Sequence, residues 1–144
     1  MADGVFLSAG AETAVQDALM AALRADPVVQ SVFGDPARVH DDETRGAAFP
    51  YARLERHETR PADASGCAGA EHVVTLSTLS RHGGRREAVD AVSALREAVN
   101  RADLQPVGQR VVLVQPTYSD VFRTTDRRAF RGVLRIRIIS EGAV

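Results

Sequence analysis

Lysine and tryptophan are absent from this chain, cysteine occurs once, and aromatic residues make up only 5% of it. Each shortage closes off a class of function. The single Cys67, in the small-residue stretch 64–70, has no partner for an internal disulfide and implies no redox compartment. No histidine lies in a catalytic frame beside it, so it reads as a free surface thiol rather than a nucleophile. The scarcity of aromatics removes the stacking platforms that a dedicated DNA or RNA reader needs, and the sequence pI of about 6.4 argues the same way. No apolar run approaches the length of a membrane span, and the N-terminus has neither the basic start nor the apolar core of a signal peptide. The expectation is a cytoplasmic protein that meets no membrane. All 18 basic residues are arginine, which reports a GC-rich coding bias before it reports a function.

Motifs of chemistry are missing as well. None of GxxxxGK[ST], GxGxxG, HExxH, CxxC or GxSxG occurs. His40, His57, His72 and His82 are scattered without ligand spacing and read as structural histidines. Glu55 and Glu58 could approach as a carboxylate pair, but exposed strand-end charges are the better reading, because nothing nearby supplies an apolar pocket. The acidic run 41–43 offers too few ordered oxygens for a metal and reads as a solvated loop. No catalytic, cofactor-binding or metal-binding residue is assigned, and the chain is not expected to be an enzyme.

What is present is the pattern of one soluble domain over residues 1–144, with 44% hydrophobic and 26% charged residues. Residues 72–104 organise it. The β-branched run 73–79 predicts a strand, Gly83-Gly84 a break, and residues 85–101 a helix whose buried stripe is Ala88, Ala91, Val92, Leu95, Ala98 and Val99. Upstream, residues 12–25 predict a first helix, ended by Asp26-Pro27, with one further turn before Gly34. Residues 37–40 are a short strand candidate at best. A strand starts after Pro50, with Tyr51, Arg53 and Glu55 on one face and Ala52, Leu54 and Arg56 on the other, and should neighbour the strand from His72. The connection 57–70 is long for a hairpin and reads as an interaction loop that orders on assembly. Downstream, 111–114 and 118–123 read as one strand kinked at Pro116. That strand pairs as a long hairpin with a last strand in which Leu134, Ile136 and Ile138 alternate with Arg135, Arg137 and Ile139. The fold class is therefore α+β, a mainly antiparallel sheet of about four strands with helices on one face.

Charge is unevenly spread. Residues 1–70 hold 11 acids against 6 arginines, whereas residues 105–144 hold 3 acids against 7 arginines. Arg123, Arg127, Arg128 and Arg131 crowd one hairpin end, and Arg135 and Arg137 extend the charge along a strand. Such a cluster could take nucleic-acid phosphates or the acidic half of a neighbouring copy. The second reading is preferred, since a ring of subunits satisfies both signs at once. The candidate interface residues are these six arginines together with His57, Glu58, Arg60 and Asp63 around the long connection.

The order of blocks carries a resemblance that spans nearly the whole chain. Ala25-Asp26-Pro27, then 49–55 (FPYARLE), then His72 to Arg81 with Gly84, Arg85, Glu87 and Ala88, then 108–112 (GQRVV), then Asp126-Arg127-Arg128 before 131–137 (RGVLRIR) resemble the tail-completion or tail-terminator proteins of long, flexible-tailed phages and of gene transfer agents. The resemblance implies a virion protein forming a ring, typically a hexamer, that stops the tail tube and joins it to the head-side connector. It implies a homo-oligomer that meets the tail tube protein and the connector or stopper, and lets DNA pass without reading its sequence. No cofactor and no catalytic residues come with it. Assembly would occur in the cytoplasm, and the finished place would be the head–tail junction of the particle.

Overall fold

The computed structural model describes residues 2–42, 46, 48–62, 69–81 and 84–142, with side chains from residue 10 onward. Three helices, α1 (Ala2–Ala25), α2 (Pro27–Phe33) and α3 (Gly84–Arg101), lie on one face of a sheet built from β1 (Val39–His40), β2 (Tyr51–Pro61), β3 (Gly69–Ser80), β4 (Gln109–Arg123) and β5 (Phe130–Gly142). The strand order is β1-β2-β3-β5-β4. Every neighbouring pair is antiparallel except β1 with β2. The α+β class holds with five strands rather than four, because the 37–40 candidate contributes two residues of parallel strand at the sheet's edge.

The helices form where the sequence places apolar residues at helical spacing. In α1, Val15, Leu19 and Leu23 recur every fourth residue and all three are fully buried. The helix starts at Ala2, earlier than the predicted Glu12. Asp26 then caps α2, its carboxylate accepting from the N–H groups of Val28 and Val29, with Pro27 at the first helical position. The same carboxylate takes both Nε and Nη2 of Arg101, so the start of α2 is tied to the end of α3. Burial pushes the Asp26 carboxyl up, but the hydrogen bonds from Arg101, Val29 and Val28 outweigh it and hold the group below the usual carboxylate range. In α3 the whole predicted stripe is buried, joined by Ala94.

Strand register sets which side chains meet the helices. Val74 and Leu76 of β3 and Leu134, Ile136 and Ile138 of β5 face α1 and α3, and with Leu95, Leu19 and Phe33 they make one core cluster. Gly132 lies on this face beneath α3. A Cβ there would collide with Cγ2 of Val92 and with Oγ1 of Thr78, so the absence of a side chain is what lets the helix cross so close to β5. β2 departs from the expected alternation. A register shift between Leu54 and Arg56 turns Arg56 to the side of Tyr51 and Arg53, and brings His57 to the helix side instead. β2 also runs on to Pro61 and β3 begins at Gly69, so 57–61 and 69–70 of the expected 57–70 loop are strand. Ala62 follows β2 and donates to the Gly69 carbonyl, and 63–68, which includes Asp63 and Cys67, falls outside the described residues.

One polar connection crosses the apolar layer. His72 is fully buried, with Nδ1 2.8 Å from His57 Nε2 and Nε2 3.0 Å from the Ser140 hydroxyl, while His57 Nδ1 lies 3.4 Å from Gln16 Oε1 on α1. Gln16 Oε1 can only accept, which assigns the protons along the chain. His57 Nδ1–H donates to Gln16, His72 Nδ1–H donates to His57, and Ser140 donates to His72. A proton on His57 Nε2 would face the N–H of His72, so this arrangement requires a neutral His57. Burial, and then the neighbouring His57, push the His72 imidazole down to about 4, against a smaller upward pull from Glu12. Burial likewise lowers His57, again opposed by Glu12.

Two outcomes test this packing. Gly132→Ala should destabilise the fold by about 1–3 kcal/mol through overpacking, and adding Val92→Ala should return part of that loss. Chemical denaturation of the single and double variants measures both, and an unchanged midpoint in Gly132→Ala would show that α3 does not cross there. Because the folded pKa of His72 lies below its unfolded value near 6.5, its contribution is complete above about pH 6.5 and is lost as pH falls towards 4. Unfolding followed between pH 7.5 and 4 should show that loss, on the order of 1–3 kcal/mol, and His72→Gln should flatten the dependence.

Candidate functional site

The face of the sheet turned away from the helices carries most of the chain's charged strand residues. Register places Arg53, Arg56, Glu58 and Arg60 of β2, Glu71 of β3, Arg131, Arg135, Arg137 and Glu141 of β5, and Arg110 and Tyr118 of β4 on this side. Most of these groups are matched within the chain. Glu71 receives Arg60 at 2.5 Å on one oxygen and Arg137 on the other, and the hydrogen bonds from Arg137 and then Arg60 hold its carboxyl below the ordinary range. Arg131 reaches across β3 to Glu55 at 2.8 Å, where Arg53 also arrives at 3.5 Å. Arg56 pairs with Glu58 at 3.8 Å, Arg110 pairs with Glu141, and Arg135 lies 4.8 Å over the ring of Tyr118. Beneath this lattice Thr75 and Ser77 are buried. Glu55 and Glu58 each bind arginines and do not form a carboxylate pair.

A second place lies at the end of the sheet where the β4–β5 turn sits. Asp126 organises that turn, accepting from the Thr124 hydroxyl at 2.6 Å and from the Arg128 N–H at 3.0 Å; these two bonds, with smaller contributions from the charges of Arg128 and Arg81, keep its carboxyl low. Arg127 adopts a positive φ of 62°, and its carbonyl accepts from Arg123 at 3.3 Å. Phe130 then takes two guanidinium groups, Arg123 at 4.6 Å and Arg85, from the first turn of α3, at 5.6 Å. Arg81 lies 4.6 Å over Phe49.

The residues singled out by sequence therefore fall in separate places. Arg123, Arg127 and Arg128 share the turn end, joined by Arg85 and Arg81, which sequence reading did not connect with them. Arg131, Arg135 and Arg137 turn to the open face and find partners there, as do Glu58 and Arg60. His57 sits on the helix side in contact with His72, a pairing that scattered sequence positions concealed. Among the described residues no group of three or more His, Cys, Asp or Glu stands close enough to hold a metal. Two of the hollows among the described residues are open grooves. One of about 370 Å³ is lined by Val32, Pro50, Arg86, Glu87 and Asp90, and one of about 540 Å³ beside α1 includes Ala14, Pro106 and Val107. No described helix is long and apolar enough to cross a membrane.

Comparison with known proteins gives this geometry a context. No curated protein matches the sequence. Among solved structures, a chain from "Virion of native gene transfer agent (GTA) particle" superposes with a TM-score of 0.79 at 27% identity, covering 89% of this chain and 95% of that one. The profile of the family described as "Tail completion protein gp17" matches residues 17–141, from the middle of α1 to the end of β5. The match takes in all five strands and most of the helical layer, and the chain belongs to the tail completion protein gp17 family.

Proposed function

We propose that the protein is a structural component of a phage-like particle, forming a ring that ends the tail tube and joins it to the head-side connector while leaving a channel for DNA. The observation that carries this reading is the likeness, over nearly the full length of both chains, to a chain of a gene transfer agent virion. On this reading it acts by assembly rather than catalysis, is put together in the cytoplasm, and resides at the head–tail junction with the tube protein and the connector as its partners.

The two edges of the sheet are unlike, which is what a ring of identical subunits requires. A contact between different surfaces of neighbouring copies repeats, and closes when the rotation between copies divides a full turn. One edge is β1, two residues long and followed by Asp41 and Asp42. The other is β4, 15 residues long, with its outer hydrogen-bonding row free among the described strands and Val112, Tyr118 and Phe122 exposed along it. A long edge with apolar side chains invites a partner. Its register shifts at Val111/Leu113 and Pro116/Tyr118 restrict which partner fits. The β4 edge is the surface assigned to the neighbouring copy, and six copies are the expected number.

Val112 is 57% exposed at the first of these shifts. Val112→Asp should change stability by no more than about 0.5 kcal/mol, yet abolish ring formation by light scattering and the production of complete tails in cells that make the particles. Tails of normal length and number from that variant would refute the assignment of the β4 edge.

A further inference from the structure

Many of the described arginines are matched within the chain, Arg24 and Arg38 by backbone carbonyls. Those on the open sheet face and at the end of α3 mostly have carboxylate partners within the chain. At the β4–β5 turn the situation differs. Arg81, Arg85, Arg123, Arg127 and Arg128 are all exposed, and none of the five has an ion-pair partner among the described residues. They come from two stretches of the sequence, 81–85 and 123–128. The shared stacking of Arg85 and Arg123 on Phe130 joins the start of α3 to the hairpin, and the pairing of Ser80 with Phe130 brings the end of β3, and with it Arg81, to the same turn.

Such crowding costs energy in the isolated chain. Like charges repel at this range, and Arg85 adds to the cost by standing in the first turn of α3, where the helix dipole favours anions over cations. The one acid within the turn, Asp126, is already engaged by Thr124 and the Arg128 N–H. Glu87, in the same first turn of α3, accepts from the Ser80 hydroxyl, and further anions from outside would relieve the arrangement.

We propose that this arginine-rich end binds the phosphate backbone of duplex nucleic acid, without regard to sequence. The inference rests on the reading that DNA passes this protein in the particle, and it names the surface that meets the DNA. Two observations favour phosphates over a second copy of the chain. The carboxylates Glu55, Glu58, Glu71 and Glu141 of the open sheet face are already taken by arginines of the same chain. A duplex, by contrast, presents a charge about every 3.4 Å along each strand, and guanidinium forks suit its oxygens. Contact is to the backbone and not to stacked bases, because Phe130 is buried and both Phe130 and Phe49 already carry arginines on their rings.

The test is binding of a random-sequence duplex of about 20 base pairs to the full-length protein, followed by fluorescence anisotropy across a salt series. Five phosphate contacts predict a slope of log K against log salt of about −4.5, with duplexes of different sequence binding alike. The triple variant Arg81→Gln, Arg85→Gln, Arg128→Gln should reduce the slope to about −1.8 and weaken binding at least tenfold at about 50 mM salt. Arg56→Gln, whose arginine is exposed on the open sheet face beside Glu58, should bind as the wild type does. Absence of binding at low salt, or an unchanged slope in the triple variant, overturns the proposal. Light scattering on the same samples identifies the other occupant: a triple variant that binds DNA normally but no longer associates with itself assigns these arginines to the neighbouring copy and overturns the phosphate reading. A wild-type protein that never forms rings, with or without tube protein, but shows the stated slope refutes the ring while leaving this inference standing.

Discussion

A sheet covered by helices on one side must keep its other side soluble with side chains alone, and this constraint shapes the rest of the molecule. On the covered side the demand is for close packing. Gly132 gives up its side chain so that α3 can cross β5, and the apolar residues of β3 and β5 meet the stripes of α1 and α3. On the uncovered side the strands carry long charged residues whose stems lie over Thr75 and Ser77 and whose heads pair with one another. Exposed pairs of this kind add little stability individually. Their effect is to present a sheet face whose charge is largely matched within the chain, so that the unmatched surfaces stand out: the β4 edge and the arginine-rich turn end.

Much of this was legible in the sequence where a period extended over many residues. The α3 stripe and the alternation of Leu134, Ile136 and Ile138 needed no tertiary information, because burial on one face imposes a period of 3.6 or 2. The break at Asp26-Pro27 and the irregularity around Pro116 followed from what proline cannot do. Features that depend on two segments meeting were hidden. The shift after Leu54 inverts the facing of β2 downstream, and nothing in the local pattern marks it, since Glu55, Arg56, Glu58 and Arg60 are all charged and tolerate either face. The His57–His72 contact needed the β2–β3 register, and the small, polar stretch after His57 looked like a loop although both strands continue into it.

The functional surface was read incompletely for the same reason. Six arginines near the C-terminus looked like one cluster because they are close in sequence. Alternation along β5 sends Arg131, Arg135 and Arg137 to a face where Glu55, Glu71 and Tyr118 receive them, leaving the turn to Arg123, Arg127 and Arg128. The partners that complete that turn end, Arg81 and Arg85, precede it by some 40 residues and arrive only because β3 ends and α3 begins beside it. In an assembly protein this division has a mechanical sense. Charges matched within the subunit hold its shape, and unmatched ones are available to whatever the assembled particle brings.

The central claim is that unlike edges of the subunit close into a ring at the end of a tail tube. Electron cryomicroscopy of purified tail tubes incubated with the protein tests it most directly, by counting the copies bound and locating them. The account predicts one closed ring of six copies at a tube end, with the β4 edge of each covered by its neighbour. Copies distributed along the tube wall, or bound singly at its end with β4 exposed, would contradict it.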